Sequence, residues 1–137
     1  KISDSYSPLN LKITNPYEST LPNGLKGVGL AVENSTLLQK LHLDVMENLE
    51  PYASYEGDSS AFYKRKGENF DDISLSWVVN FKERAFNNFE PHMTIGIGEL
   101  RPVFEMPFKT SEIILAQLGN YCTCRKILFS SNLKKNK

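Results

Sequence analysis

The chain has 137 residues, 40% of them apolar and 23% charged, and its 16 basic and 16 acidic side chains balance. That composition excludes a disordered tail, a collagen-like repeat and a strongly basic nucleic-acid coat protein. A chain of this size buries roughly two thirds of its unfolded surface, enough for a hydrophobic core without disulfides.

No run approaches the ~20 apolar residues of a membrane span, and no charged start followed by an apolar stretch marks a signal peptide. The expectation is an intracellular protein, cytoplasmic or nuclear, with no membrane partner. The opening KISDSYSPLN begins at Lys1 and has no start signal. The chain therefore reads as a single domain over 1–137 that lacks an upstream N-terminal segment.

Residues 9–14 (LNLKIT) alternate apolar and polar side chains as a half-buried strand does. NPYESTLPNG follows, rich in Pro, Asn and Gly, and predicts a polar loop. Residues 25–32 (LKGVGLAV) form a second strand that can pair antiparallel with the first. Ser35 is a candidate N-cap for the helix TLLQKLHLDVMENLE, in which Leu38, Leu41, Val45 and Leu49 recur at helical spacing. Pro51 ends it. His42 borders that stripe with no partner at helical spacing, which marks it as structural.

Residues 51–70 show no clear period and predict a long loop or a short hairpin. DDISLSWVVNFKERAF reads as a helix from its acidic start and the spacing of Ile73, Trp77 and Phe81, although ISLSWVV equally suits a strand. Four strand-like runs come last: PHMTIGIGEL, VFEMPF, SEIILAQLG and YCTCRKILF. Pro102, Pro107 and the Gly119-Asn120 pair supply turn or edge signals between them.

Strands outnumber helices, and the helices fall between strand groups. The expected class is α+β, with antiparallel sheets carrying helices packed on the outer face. No repeat at solenoid spacing and no Gly-rich phosphate loop is present. Cys122 and Cys124 are spaced C-x-C with no second pair, so they read as structural thiols rather than zinc ligands. Residues 91–137 carry seven basic and three acidic side chains, and the terminal LKKNK reads as a solvated tail.

The segment that carries chemistry is PHMTIGIG, residues 91–98. Strand alternation directs Met93, Ile95 and Ile97 to one face, expected to be core. His92, Thr94, Gly96 and Gly98 fall on the other. Two glycines beside a histidine and a hydroxyl leave room for a ligand to approach the backbone, as a pocket floor requires. A histidine can exchange a proton near neutral pH, and a threonine hydroxyl can bond an anionic oxygen, so together they suit phosphate-ester chemistry. By spacing alone, His92 beginning a strand and Thr94 serving β-propensity is an equally good account.

FEPHMTIGIG, preceded by WVVNF and followed by LAQLGNYCTCRKIL, resembles the C-terminal half of the two-histidine phosphoesterase superfamily. That superfamily includes the RNA 2',3'-cyclic phosphodiesterases, also called 2'-5' RNA ligases. GLKGVGLAVENSTLLQKLHLDVMENL extends the resemblance as the family's strand followed by helix, so it covers nearly the whole chain. It implies a bilobal fold in which two H-x-[ST] motifs face each other across a cleft. It further implies His92 as one of the paired acid/base histidines and Thr94 as its phosphate-binding hydroxyl, while Gly96 and Gly98, from the pocket-floor reading of the strand, are the expected substrate-binding positions.

The chain departs from the family in two places. Its first H-x-T would stand upstream of Leu9, outside the sequence, and Cys122 stands where a glycine normally follows the tyrosine of the LGNYG-like segment. The implied reaction is metal-independent hydrolysis of cyclic or 2'-5' phosphodiesters at RNA ends or in small nucleotides, by a monomer needing no cofactor and no metal. A nucleotide- or RNA-binding module of the same fold, and an α+β interaction domain with a coincidental H-x-T, are the competing readings.

Overall fold

The computed structural model describes residues 2–21, 24–54, 57–69, 72–79, 81, 85–86, 88–101 and 105–134. Among these the fold is α+β, with a four-stranded antiparallel sheet and a separate two-stranded one. Strand β1 (Leu9–Thr20) opens with the expected LNLKIT but continues through Asn15, Pro16, Tyr17 and Glu18, where the sequence predicts a loop.

The cause of that extension is a change of partner. The first half of β1 pairs with β4 (Met106–Thr110), Leu9 opposite Thr110 and Ile13 opposite Met106. The second half pairs with β2 (Lys26–Val32), Pro16 opposite Leu30 and Thr20 opposite Lys26. The register shifts between Ile13 and Pro16, and such an irregularity can hold a residue with no N–H to give the ladder.

The sheet order is β3-β2-β1-β4, so β3 (His92–Ile97) and β4 are its edges. Pro107 sits within edge strand β4, where a missing donor is tolerated. Strands β5 (Glu112–Leu118) and β6 (Cys124–Asn132) form the second sheet as an antiparallel ribbon. Helix α1 (Thr36–Leu49) is capped as expected, the Ser35 hydroxyl accepting the Leu38 N–H at 3.2 Å.

Leu41 of α1 is buried in a cluster with Tyr6, Leu9 and Leu133, and Leu38 and Val45 pack against it. Leu49, expected in the same stripe, is exposed, and Met46 is buried instead. His42 donates Nε2–H to the Ala85 carbonyl and stacks on Phe89 with ring centroids 4.0 Å apart, a structural histidine.

Helix α2 (Asp72–Val79) occupies part of the expected 71–86 helix. The Ile73 side chain and residues 71, 80 and 82–84 of that prediction lie outside the described residues. Short 3-10 turns at Glu50–Tyr52 and Ser59–Ala61 stand where a loop or hairpin was expected, and no strand forms among the described residues of 51–70. The Pro102 turn, the start of the expected strand at 103–104 and residues 135–137 of the tail are likewise outside them. No helix among the described residues is long and apolar enough to cross a membrane.

Candidate functional site

The register of β3 on β2 carries a bulge that decides which side chains share a face. Ala31 opposes His92, Leu30 opposes Met93 and Gly29 opposes Thr94. Val28 then opposes Gly96 and Gly27 opposes Ile97. Ile95 is thus one residue too many on β3, and beyond it the alternation reverses. Ile97 turns toward the face of His92 and Thr94, and with them and Gly96 it lines a cavity.

The expectation that Met93, Ile95 and Ile97 form a core face is therefore corrected. They are 36%, 57% and 53% exposed. Alternation identifies residues that share a face, but burial depends on what packs over that face, and β3 is an edge strand.

Gly98 is not part of the cavity wall. At φ 141° it holds a conformation that side-chain-bearing residues avoid, and its N–H donates to the Lys26 carbonyl at 3.0 Å, closing the β2–β3 ladder. A different glycine permits the close approach of the strands. A Cβ on Gly29 would lie 2.5 Å from the Met93 carbonyl oxygen.

The cavity is half open to solvent and has a volume of about 1290 Å³. It is lined by Tyr17, Val28, His92 and Thr94 from the sheet, by Trp77 of α2 and Phe81 after it, and by Tyr121 and Cys122 from the turn after β5. The His92 ring is oriented from two sides. Its Nδ1 lies 2.8 Å from the Glu90 carbonyl, and since a carbonyl only accepts, Nδ1 carries the proton and Nε2 is left to exchange one. Tyr17 stacks on the imidazole with centroids 5.3 Å apart.

The turn that carries Tyr121 and Cys122 is tied to α2 by a buried hydroxyl. Ser74 of α2 is fully buried, accepting the Tyr121 N–H at 2.8 Å and donating to Asn120 Oδ1 at 3.3 Å. Asn120 Nδ2 donates to the Asn69 carbonyl at 3.0 Å, and the Thr123 hydroxyl donates to the Asn120 carbonyl at 2.8 Å. These bonds hold Tyr121 at φ 57° and Cys122 at φ 51°, two consecutive non-glycine residues in left-handed conformation. Each such residue costs on the order of 1–3 kcal/mol and persists only where its surroundings over-determine it.

Sequence reasoning reached His92, Thr94 and Gly96 of this site and missed the aromatic residues around them. Tyr17 was hidden inside a Pro- and Asn-rich segment, and Trp77 and Phe81 looked like a helix's apolar stripe. Cys122, expected as a structural thiol, lies in the wall. The site offers the His92 imidazole as a proton-exchanging group, hydroxyls on Thr94 and Ser19 that can bond an anion's oxygens, and a broad apolar surface. Among the described residues no three His, Cys, Asp or Glu side chains gather as metal ligands would. Comparison with protein-family models, with curated proteins and with solved structures finds no match to this chain.

Proposed function

We propose that this chain belongs to a metal-independent phosphodiesterase of the two-histidine kind, bilobal in fold, acting on 2',3'-cyclic or 2'-5' phosphodiesters of RNA ends or small nucleotides in the cytoplasm or nucleus. One observation supports the reading above the others: His92 and Thr94 both line one cavity, roomy enough to admit a nucleotide.

In the proposed step a base takes a proton from water as the water oxygen bonds to phosphorus. The bond from phosphorus to a ribose oxygen breaks, and an acid protonates that oxygen. His92, with Nε2 unprotonated in its neutral form, serves one of these roles, and Thr94 donates to a phosphoryl oxygen as its charge grows. The attacking and leaving oxygens lie on opposite sides of an in-line phosphorus, so a second group is needed. His42, the chain's other histidine, is engaged by the Ala85 carbonyl and Phe89. The proposed second group is the histidine of an upstream H-x-[ST].

That same engagement of His42 favours the second reading, a nucleotide- or RNA-binding module without turnover. Release of phosphomonoester from a 2',3'-cyclic nucleotide separates the two. The 137-residue chain should be nearly inactive, and a longer chain carrying the upstream motif should be active without added metal and insensitive to a chelator. His92→Ala in the longer chain should lower the rate by about 10²- to 10⁴-fold, and Thr94→Ala by less. The pH profile should be bell-shaped, one limb for each histidine. Full activity in the 137-residue chain, or a need for divalent metal, would overturn the mechanism. Binding without turnover in both chains would establish the binding module.

A further inference from the structure

Tyr121 and Cys122 occupy backbone conformations that glycine or asparagine would adopt with less strain, and Gly119 and Asn120 stand immediately before them without taking those positions. The strained pair is nevertheless retained, pinned to α2 by the buried Ser74 hydroxyl, and both residues line the cavity. Trp77, in α2 three residues beyond Ser74, and Phe81 line the same cavity as His92 and Thr94 of the sheet. Three aromatic side chains drawn from two separate segments thus converge on the wall of one cavity, one of them held there against backbone strain. Strain of this kind collects where a ligand is held.

We propose that this wall is a nucleobase site: Trp77, Phe81 and Tyr121 receive a planar heteroaromatic base while His92 and Thr94 face the phosphoester of the same ligand. The aromatic wall stands on its own geometry, and only the phosphoester end rests on the phosphodiesterase reading. Stacking against aromatic faces tolerates any base, so the site selects for the presence of a base rather than for its identity. The base belongs to a free nucleotide or to the last residue of an RNA.

Trp77 is the only tryptophan of the chain and lies in the cavity wall, so intrinsic fluorescence reports occupancy of the site directly. The 137-residue chain is titrated with adenosine, with adenosine 2',3'-cyclic monophosphate, and with ribose 2',3'-cyclic phosphate, which has no base. The first two should change Trp77 emission saturably, and the third should bind at least about tenfold more weakly than the cyclic nucleotide.

Tyr121→Gly relieves the left-handed backbone while removing the phenol. It should weaken adenosine binding by about tenfold and leave thermal unfolding unchanged or improved. Phe81→Leu, which keeps an apolar side chain, should weaken adenosine binding in the same direction without altering the backbone. Competition with adenosine by a short RNA ending in a cyclic phosphate would assign the base to an RNA end, and saturation by mononucleotide alone would assign it to a free nucleotide. Either result supports a base site.

Equal binding of the base-free sugar phosphate and the cyclic nucleotide, or unchanged adenosine affinity in both variants, would overturn the inference even if hydrolysis were observed. Adenosine binding without hydrolysis in any chain would uphold it and remove the phosphodiesterase reading.

Discussion

On α1, Lys40 and Asp44 stand one turn apart and converge on the phenol of Tyr6. The Tyr6 hydroxyl donates to Asp44 Oδ2 at 2.5 Å, and Lys40 Nζ reaches Asp44 at 2.8 Å and the Tyr6 oxygen at 3.2 Å. These bonds, first from Lys40 and then from Tyr6, hold the Asp44 carboxyl below its ordinary value of 3.8. A carboxyl lowered in the folded state contributes stability that is present above its unfolded value and lost as pH falls through the folded one. Tyr6 is raised by burial and then by Asp44, and Lys40 by its bonds to Asp44 and Tyr6, so their contributions hold below about pH 10 and fade at stronger alkalinity. Urea unfolding at stepwise lower pH should show the native chain losing stability below about pH 4, with a shallower loss in Asp44→Asn. Parallel curves for the two proteins would show that the triad does not act on folding.

Strand β3 owes its place to a glycine on its neighbour. With a Cβ at position 29 only 2.5 Å from the Met93 carbonyl oxygen, β2 and β3 could not keep their spacing at the bulge. Gly29→Ala should therefore destabilise by about 1–3 kcal/mol, the cost of overpacking a closely fitted site. Because Thr94 pairs with Gly29 and His92 with Ala31, the same change should displace both from the cavity. Chemical denaturation measures the first effect, and chemical-shift changes at His92 measure the second. A stability loss below about 0.5 kcal/mol with His92 unmoved would show that the ladder widens without cost.

Across the whole molecule, the core joins segments far apart in the chain. Tyr6 and Leu9 from the start, Leu41 from α1 and Leu133 after β6 form one buried cluster. Backbone bonds tie the ends around it: the Leu133 N–H donates to the Ser111 carbonyl at 2.8 Å and the Lys134 N–H to the Ser3 carbonyl at 3.2 Å. The Ser131 hydroxyl adds a bond to Ser3 Oγ at 2.8 Å. Leu41→Ala should destabilise by about 2–5 kcal/mol, as truncations in packed cores do. Ile95→Ala, at an exposed bulge on an edge strand, should cost under about 0.5 kcal/mol. Denaturant midpoints of the two variants provide the comparison, and equal losses would mean that the outer face of β3 is covered in solution.

The elements legible in the residues alone were those whose signals act over a few positions. Ser35 caps α1 through its own hydroxyl, Pro51 excludes continuation of the α-helix by its ring, alternation marked LNLKIT as a strand, and LKGVGLAV read as a strand-like run. His92 and Thr94 were recognisable as a pair because residues two apart in a regular stretch of strand share a face, and the bulge lies beyond them. Only the tertiary structure decided that NPYEST continues β1, since a strand needs a partner and β2 is supplied from across a turn. The move of Ile97 to the cavity side depends on a bulge, which is a property of two strands in register. The meeting of Tyr17, Trp77 and Tyr121 around one cavity depends on how the sheet, α2 and the turn after β5 pack. The physical reason is common to all three: local propensity and pattern are carried by neighbours along the chain, whereas pairing, burial and pocket formation arise between segments that only the folded state brings together.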